Sequence, residues 1–426
     1  MSSATVSSVP RVDHTDGTEE FQHLSLVDQS KLIETLWRNE PLFALCRDSE
    51  QTIAPVMEVN DGSNMRPRNV RHYIEQRILS LPSDIDDYKS QDELVRDIIS
   101  FVHRYAEVPP FWEELIAHYI LMTWVFDRFT AVPYLRFLGE PGTGKTRIQQ
   151  VCGRVCYKPT FVAGSISAAG IFRLSDAVRG TLVIDEGDFR NASDWSDIIK
   201  VLNMGYMPGA SIIRCEEGAH GRFEPRGYVV FGPKVISSRN RFDTDALETR
   251  CLTLQTTRLR LRRDIPLQLP TTFEDEALAL RNRLLKWRFD TFRLIEIEES
   301  NLRGLESRVG QIGTPIYSVS NDAGFRERFL DYLTQYDQEA RQERPAAIVI
   351  KGLLKIRNAE KVFVNQVANE ANLLCKSHGE DPMTDRKVGG ILRSLGFKTH
   401  HTRDGNIVAV NQKLLESLTR EYLPDA

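Results

Sequence analysis

The chain is 426 residues long, with 41% hydrophobic and 27% charged residues and a formal net charge of −4. That length admits two or three domains with a substantial core, and the charge excludes a global basic field, so nucleic acid would have to be met by local patches. Six scattered cysteines without a pairing pattern fit a reducing cytosol, and the most apolar stretch is too short to span a bilayer, so a cytoplasmic chain with no membrane partner is expected.

Residues 1–20, rich in Ser, Thr and acids, are expected to be disordered. In the segment 21–90, Leu32, Ile33, Leu36 and Trp37 predict a first helix, after which the chain is weakly patterned and interrupted by proline; the segment has no assigned role. Its arginines Arg66, Arg68, Arg71 and Arg77 form either a nucleic-acid patch or a solvated face. From residue 91 the pattern strengthens. Leu94, Val95, Ile98, Ile99 and Val102 predict one amphipathic helix, and Leu115, Ile116, Tyr119, Ile120 and Met122 another.

The apolar run Tyr134 to Leu138 then leads into Gly139-Glu140-Pro141-Gly142-Thr143-Gly144-Lys145-Thr146, a complete G-x-x-x-x-G-K-[ST] phosphate loop. Its glycines let successive backbone N–H groups turn toward phosphates, Lys145 reaches the β/γ oxygens, and Thr146 can ligate magnesium at a helix start. Ile148, Val151, Cys152 and Val155 continue as that helix. Cys152 and Cys156 share one of its faces, with no nearby Cys or His to complete a metal site, and are expected to pack in the core. Further on, Thr181 to Ile184 is a β-prone run ending in Asp185-Glu186. Asp185 can complete the metal shell and Glu186 can polarise water, which points to hydrolysis rather than transfer.

Ser211 to Cys215 and Gly227 to Phe231 predict a hairpin around the polar segment 216–226. Lys234 to Ser238 predicts another strand, beyond which Asn240 either orients the lytic water or sits in an ordinary turn. Arg250 is either a surface residue or one that reaches a γ-phosphate held by a neighbouring subunit. The alternation Arg258 to Arg263 predicts an edge strand with a solvated basic face, and Glu274 to Ile297 a long helix. In the last 80 or so residues, helices are expected at Ile348 to Leu354, around Val364 to Leu374, and after Thr384, with Val388, Ile391, Leu392 and Leu395 on one face before Gly396. A hairpin then turns at Asp404-Gly405. Three helices and a hairpin predict a winged helix-turn-helix, in which Arg386, Lys387 and Arg393 on the third helix and His400, His401 and Arg403 on the wing suit either DNA or protein contact.

The phosphate loop, Asp185-Glu186, Asn240 and Arg250, in this order and spacing, resemble the AAA+ ATPases. Within them the chain is similar to the minichromosome-maintenance (MCM) helicases and the MCM-like helicases of mobile genetic elements. Ser165-Ile-Ser-Ala-Ala-Gly-Ile171, Lys234-Val-Ile-Ser-Ser-Arg-Asn240 and Ala246-Leu-Glu-Thr-Arg250 carry the narrower likeness, although Thr249-Arg250-Cys251 stands in place of the family's Ser-Arg-Phe and no zinc-bearing amino-terminal domain is legible. The resemblance implies an α/β fold: an ATPase module over 91–340, with a three-layer phosphate-loop core and parallel sheet at 131–265 and a helical lid at 266–340, followed by the winged helix at 345–426. It further implies ATP and Mg²⁺ as cofactors and a homo-oligomeric, hexameric ring with DNA as partner. Arg281 becomes a second γ-phosphate sensor, with Arg283 close behind, and the hairpin's Arg214, His220 and Arg222 become contacts to DNA in a pore. A DNA helicase or replication initiator is the leading expectation. Its rivals are a protein-remodelling or defence switch that never unwinds a duplex, and an ATP-controlled DNA-binding regulator.

Overall fold

The computed structural model describes residues 11–13, 19–21, 25–27, 31–58, 64–163, 166–185, 192–217, 223–242, 245–257, 261–342, 345–378, 382–403 and 405–423. Its contacts divide the chain into two units, Met1–Phe329 and Leu330–Ala426. The division falls inside the helix Ala323–Gln342. Asp337 and Arg341 are ion-paired one helical turn apart on it (2.8 Å).

In the first unit, the strands of the central sheet are covered on both faces. Every residue of Tyr134–Leu138 and of Lys234–Ser238 is buried. Five strands form one parallel sheet in the order Thr160–Ala163, Leu182–Asp185, Lys234–Ser238, Tyr134–Leu138, Cys251–Gln255. Against one face, helices Ala168–Val178 and Ala192–Met204 bury Ile171, Phe172, Ile198 and Leu202 on Tyr134, Leu182, Ile184 and Ile236. Helix Lys145–Val155 packs on the other face at Gly153, where a Cβ would press on Phe161 and Val183 at 3.1–3.2 Å. Cys152 and Cys156 lie buried on this helix, their thiols directed at carbonyls one turn back.

Arg136 and Lys234, two charges inside the sheet, are both satisfied locally. Arg136 forks onto Glu248 (2.6 Å for Nη2), and Lys234 donates to the carbonyls of Gly205, Val230 and Gly232 at 2.8–3.0 Å. The second arrangement ties the exit of the antiparallel hairpin Ser211–Glu217/Phe223–Val229 to the sheet.

The amino-terminal segment is β-structured, and the helix expected from Leu32, Ile33, Leu36 and Trp37 is the strand Lys31–Trp37. It sits in an antiparallel sheet with Ser25–Val27, Pro41–Arg47 and Glu50–Ala54. Burial on both faces removed the alternation that marks a half-exposed strand. Of residues 1–20, Arg11–Asp13 and Glu19–Glu20 lie in paired strands, and the rest lies outside the described residues. Of the expected edge strand, 261–263 is not a strand and 258–260 is outside the described residues.

Glu34 of that strand, 1% exposed, accepts hydrogen bonds from Tyr157 Oη (2.8 Å), Lys158 Nζ (2.6 Å) and Arg288 Nε (2.8 Å). Arg288, itself fully buried, also pairs with Asp127 at 2.7 Å. Three segments far apart in sequence therefore meet at one carboxylate, and Arg288 links them to a fourth through Asp127.

His118, 2% exposed, stacks on Phe325 at 3.7 Å between ring centroids, with Nε2 3.1 Å from Ser320 Oγ. Burial pushes its pKa down from 6.5 to about 4. The unfolded chain takes up that proton first, so this stability is complete above about pH 6.5 and is lost as pH falls toward 4. Wild type should lose about 2–3 kcal/mol more than His118→Gln between pH 7 and pH 4.5, read by denaturant melts; parallel losses would count against it.

The second unit has its own core, built on Ile348, Val349, Val367, Ala371, Val388, Leu392, Val408 and Leu415. Helices Pro345–Ile356, Val364–His378, Asp385–Ser394 and Gln412–Tyr422 surround a sheet in the order Val362–Phe363, Gly405–Ala409, Lys398–Thr402. Thr384 caps the third helix by accepting from Lys387 N (3.3 Å), and Gly396 leaves it with φ 94°. The short first strand and the last helix were not foreseen. Among the described residues no helix is long and apolar enough to cross a membrane.

Candidate nucleotide site

The loop after strand Tyr134–Leu138 is shaped by its glycines. Gly142 (φ 82°) and Gly144 (φ 88°) lie in the left-handed region, which side chains disfavour, and a Cβ on either would project into open space. That is the concavity a phosphate chain needs. At Gly139 the reason differs, because a Cβ there would meet the carbonyl and hydroxyl oxygens of Thr256 at 2.4 Å. Gly144 begins helix Lys145–Val155 without a side-chain cap, so the first N–H groups and the positive dipole end face the concavity. Lys145 lies back along the loop, Nζ donating to Gly139 O (2.5 Å) and Glu140 O (2.7 Å). Thr143 Oγ1 donates to Glu140 O at 2.9 Å.

Strands Leu182–Asp185 and Lys234–Ser238 run in parallel with Ile184 opposite Ile236, which brings the next residues, Asp185 and Ser237, side by side at the carboxyl end of the sheet. Asp185 Oδ1 accepts from Ser237 Oγ at 2.7 Å and from Thr146 Oγ1 at 3.3 Å. These three hard oxygen groups fit a magnesium ion better than a softer metal. A cavity of about 410 Å³ opens over Gly142, Lys145, Thr146, Asp185, Ser237 and Arg239, at the crevice where parallel sheets take ligands. Sequence reasoning missed Ser237; the available signal was a pair of hydroxyls closing a buried strand. Glu186 lies outside the described residues. Asn240 is exposed and is not among the residues lining this cavity.

A second cavity of about 300 Å³ shares Gly142, Gly144 and Arg147 with the first and is walled by Ile148, Leu254, Leu261, Ile265, Pro266 and Leu267. Its apolar walls suit a nucleobase beside a phosphate site. No motif announced it, because its walls come from segments far apart in sequence; the run Ile265-Pro266-Leu267 was its one local trace. Arg147 stands at the junction, donating to Tyr105 O (3.4 Å), Pro266 O (3.0 Å) and Leu267 O (2.7 Å).

The arginines assigned from sequence are placed unequally. Arg250 is 7% exposed, with Nη1 2.5 Å from Asn203 Oδ1 and its guanidinium 4.1 Å from the Tyr206 ring centroid. Arg308, which sequence reasoning missed, faces the same ring at 5.7 Å and donates to Ala246 O at 3.4 Å. Arg281 is 5% exposed and donates to Arg154 O at 2.7 Å. Arg154 belongs to the last turn of an 11-residue helix whose first turn holds Lys145, about 14 Å away by helical rise. Arg281 thus satisfies a carbonyl at the wrong end of that helix, and the sensing role is not retained for it. Arg283 pairs with Asp97 at 2.6 Å.

Of the hairpin residues, Arg214 is described: it pairs with Asp197 at 3.6 Å and lies over the Phe172 ring at 5.6 Å, while His220 and Arg222 fall outside the described residues. In the second unit Arg386, Lys387, Arg393, His400, His401 and Arg403 are all exposed.

No protein-family model matches the sequence. No curated protein matches it. Among solved structures it resembles a protein described as the SCCmec type IV Cch active helicase (13% identity, 92% of this chain and 99% of that one, TM-score 0.41). It also resembles the apo NrS-1 C-terminal region (10%, 89% and 95%, TM-score 0.37) and a full-length MCM homolog from Methanopyrus kandleri (9%, 73% and 74%, TM-score 0.37).

Proposed function

We propose that this chain is an ATP-hydrolysing motor of the AAA+ kind, an MCM-like DNA helicase or replication initiator that works as a ring with ATP between subunits. The observation that carries the reading is the meeting of the uncapped, glycine-shaped phosphate loop with Thr146, Asp185 and Ser237 at the carboxyl ends of neighbouring parallel strands, beside an apolar cavity of base size.

In this reading Lys145 and the loop N–H groups hold the phosphate oxygens, the loop having no other cationic side chain to offer. Thr146 and Asp185 hold magnesium, which when bound neutralises charge on the phosphates. Glu186, next along the chain from Asp185, takes a proton from the attacking water, and Asn240 orients it. Ser237 fixes the rotamer of Asp185. Arg250 of a neighbouring subunit stabilises charge in the transition state, and Arg308, beside it on Tyr206, replaces Arg281 as the second arginine of the same surface.

The second unit is a winged helix, with Asp385–Ser394 as the helix offered to DNA and Lys398–Ala409 as the wing. The exposure of Arg386, Lys387, Arg393 and Arg403 supports this. The hairpin Ser211–Val229 supplies the pore contact.

Steady-state hydrolysis measured with and without single-stranded DNA, beside unwinding of a forked duplex, tests the reading. Stimulation by single strands of several-fold, with strand separation, is expected. Hydrolysis indifferent to DNA would leave a protein-remodelling switch, and footprinting of one defined site without strand separation would leave a regulator.

A further inference from the structure

Glu216 sits on the face of the hairpin that packs against helix Ala168–Val178, where Phe172 and Tyr228 meet at 4.7 Å between ring centroids. On this face the register places Arg214 opposite Arg226 and Glu216 opposite Glu224, so Glu216 and Arg226 are diagonal neighbours. Arg173 Nη2 approaches Glu216 Oε1 at 2.6 Å from the helix, and Arg226 Nη1 stands 3.9 Å from Oε2. The Tyr228 hydroxyl also hydrogen-bonds the carboxylate, and these groups, Tyr228 and Arg173 foremost, hold its pKa below the usual range. Arg68, from the loop before helix Arg71–Glu75, lines the same cavity of about 380 Å³.

A simple surface ion pair needs one partner and little room. Here three guanidinium groups border a cavity with space for a phosphodiester, and the anion set between Arg173 and Arg226 is the carboxylate of Glu216; the other carboxylate on the lining, Asp176, is engaged by Val229 N (3.1 Å) and Arg179 (3.4 Å). We propose that the Arg68–Arg173–Arg226 cavity is a binding site for backbone phosphate of single-stranded nucleic acid, and that Glu216 is an internal competitor which must leave before a phosphate enters. Entry of the strand then exchanges one carboxylate for one phosphate on the same arginines and frees the hairpin from helix Ala168–Val178. This inference rests on the nucleic-acid part of the proposed function.

The full-length protein, with binding of a fluorescent oligo-dT strand followed across a salt series, tests it against a matched control. Glu217 is the next residue, exposed on the opposite hairpin face, and Glu217→Gln changes the net charge equally. Glu216→Gln should tighten binding about tenfold and steepen the salt dependence by about one ion; Glu217→Gln should change affinity less than about twofold. Adding Arg173→Ala to Glu216→Gln should return affinity to the wild-type range, with melting midpoints recorded to show that each variant is folded.

Equal tightening by both Gln variants, or none by Glu216→Gln, overturns the competitor role while leaving DNA binding intact. Failure of wild type and every variant to bind the strand overturns this inference together with the nucleic-acid part of the proposed function. If Glu216→Gln does not fold, Arg173→Ala alone decides: weaker binding with a shallower salt slope supports a phosphate site there, and unchanged binding overturns it.

Discussion

Lys145→Ala subunits should bind no ATP, and mixing them with Arg250→Ala subunits should restore part of the hydrolysis that neither shows alone. The first half follows from the loop. Lys145 Nζ is held on Gly139 O and Glu140 O, and without it the phosphate charge loses the lysine of the loop; calorimetry would read the loss directly. Arg250→Ala subunits keep an intact loop and should bind ATP, but should turn over about 10³-fold more slowly. In a mixed ring, the intact loop of an Arg250→Ala subunit faces the intact Arg250 of a Lys145→Ala subunit. In the single chain Arg250 is packed on Tyr206, so a neighbour's phosphate must draw it off that ring, and melting midpoints should accompany the assay. Full activity of Arg250→Ala alone would make the arginine structural, and absence of rescue on mixing would place its action within one subunit.

Glu34→Ala should destabilise the first unit by about 3–5 kcal/mol, because it leaves Lys158 and Arg288 buried without the carboxylate between them. Lys158 is 2% exposed and burial has pushed its pKa down to about 8, with Glu34 the largest opposing influence. Glu34→Gln, which still accepts from Tyr157, should lose less. Denaturant melts followed by near-ultraviolet circular dichroism would measure both, and a loss below about 1 kcal/mol for Glu34→Ala would show that Asp127 and the surrounding carbonyls suffice for Arg288.

The phosphate loop was legible because its chemistry is local. Two glycines with left-handed backbone, a lysine and a threonine all fall within eight residues, and the strand before and helix after carry their own periodicities. The hairpin and the second unit's first three helices were legible for the same reason. The strand Lys31–Trp37 was not, because its two buried faces erase the alternation and because its one carboxylate, Glu34, is buried by partners more than 90 positions away. The base-sized cavity was illegible in a different way: Ile148, Leu254 and Ile265 are ordinary core residues until the fold sets them around one space. Arg281 shows the limit of helical spacing, which gave the residue a helix but not the neighbour, Arg154 O, that the helix aims it at.

The strand carrying the phosphate loop lies between Lys234–Ser238 and Cys251–Gln255, and both of its partners are made later. Tyr134 pairs with Lys234, about 100 residues downstream, so at translation rates of about 5–20 residues per second the loop's own strand waits on the order of 5–20 s for its first neighbour. During that interval a largely apolar strand with two open edges is exposed to other nascent chains. Synthesis through Gln255 is therefore the point at which the loop's strand has both neighbours, and through Leu267 the point at which the pocket has all its walls; truncations ending before Gln255 should be bound by chaperones rather than by ATP.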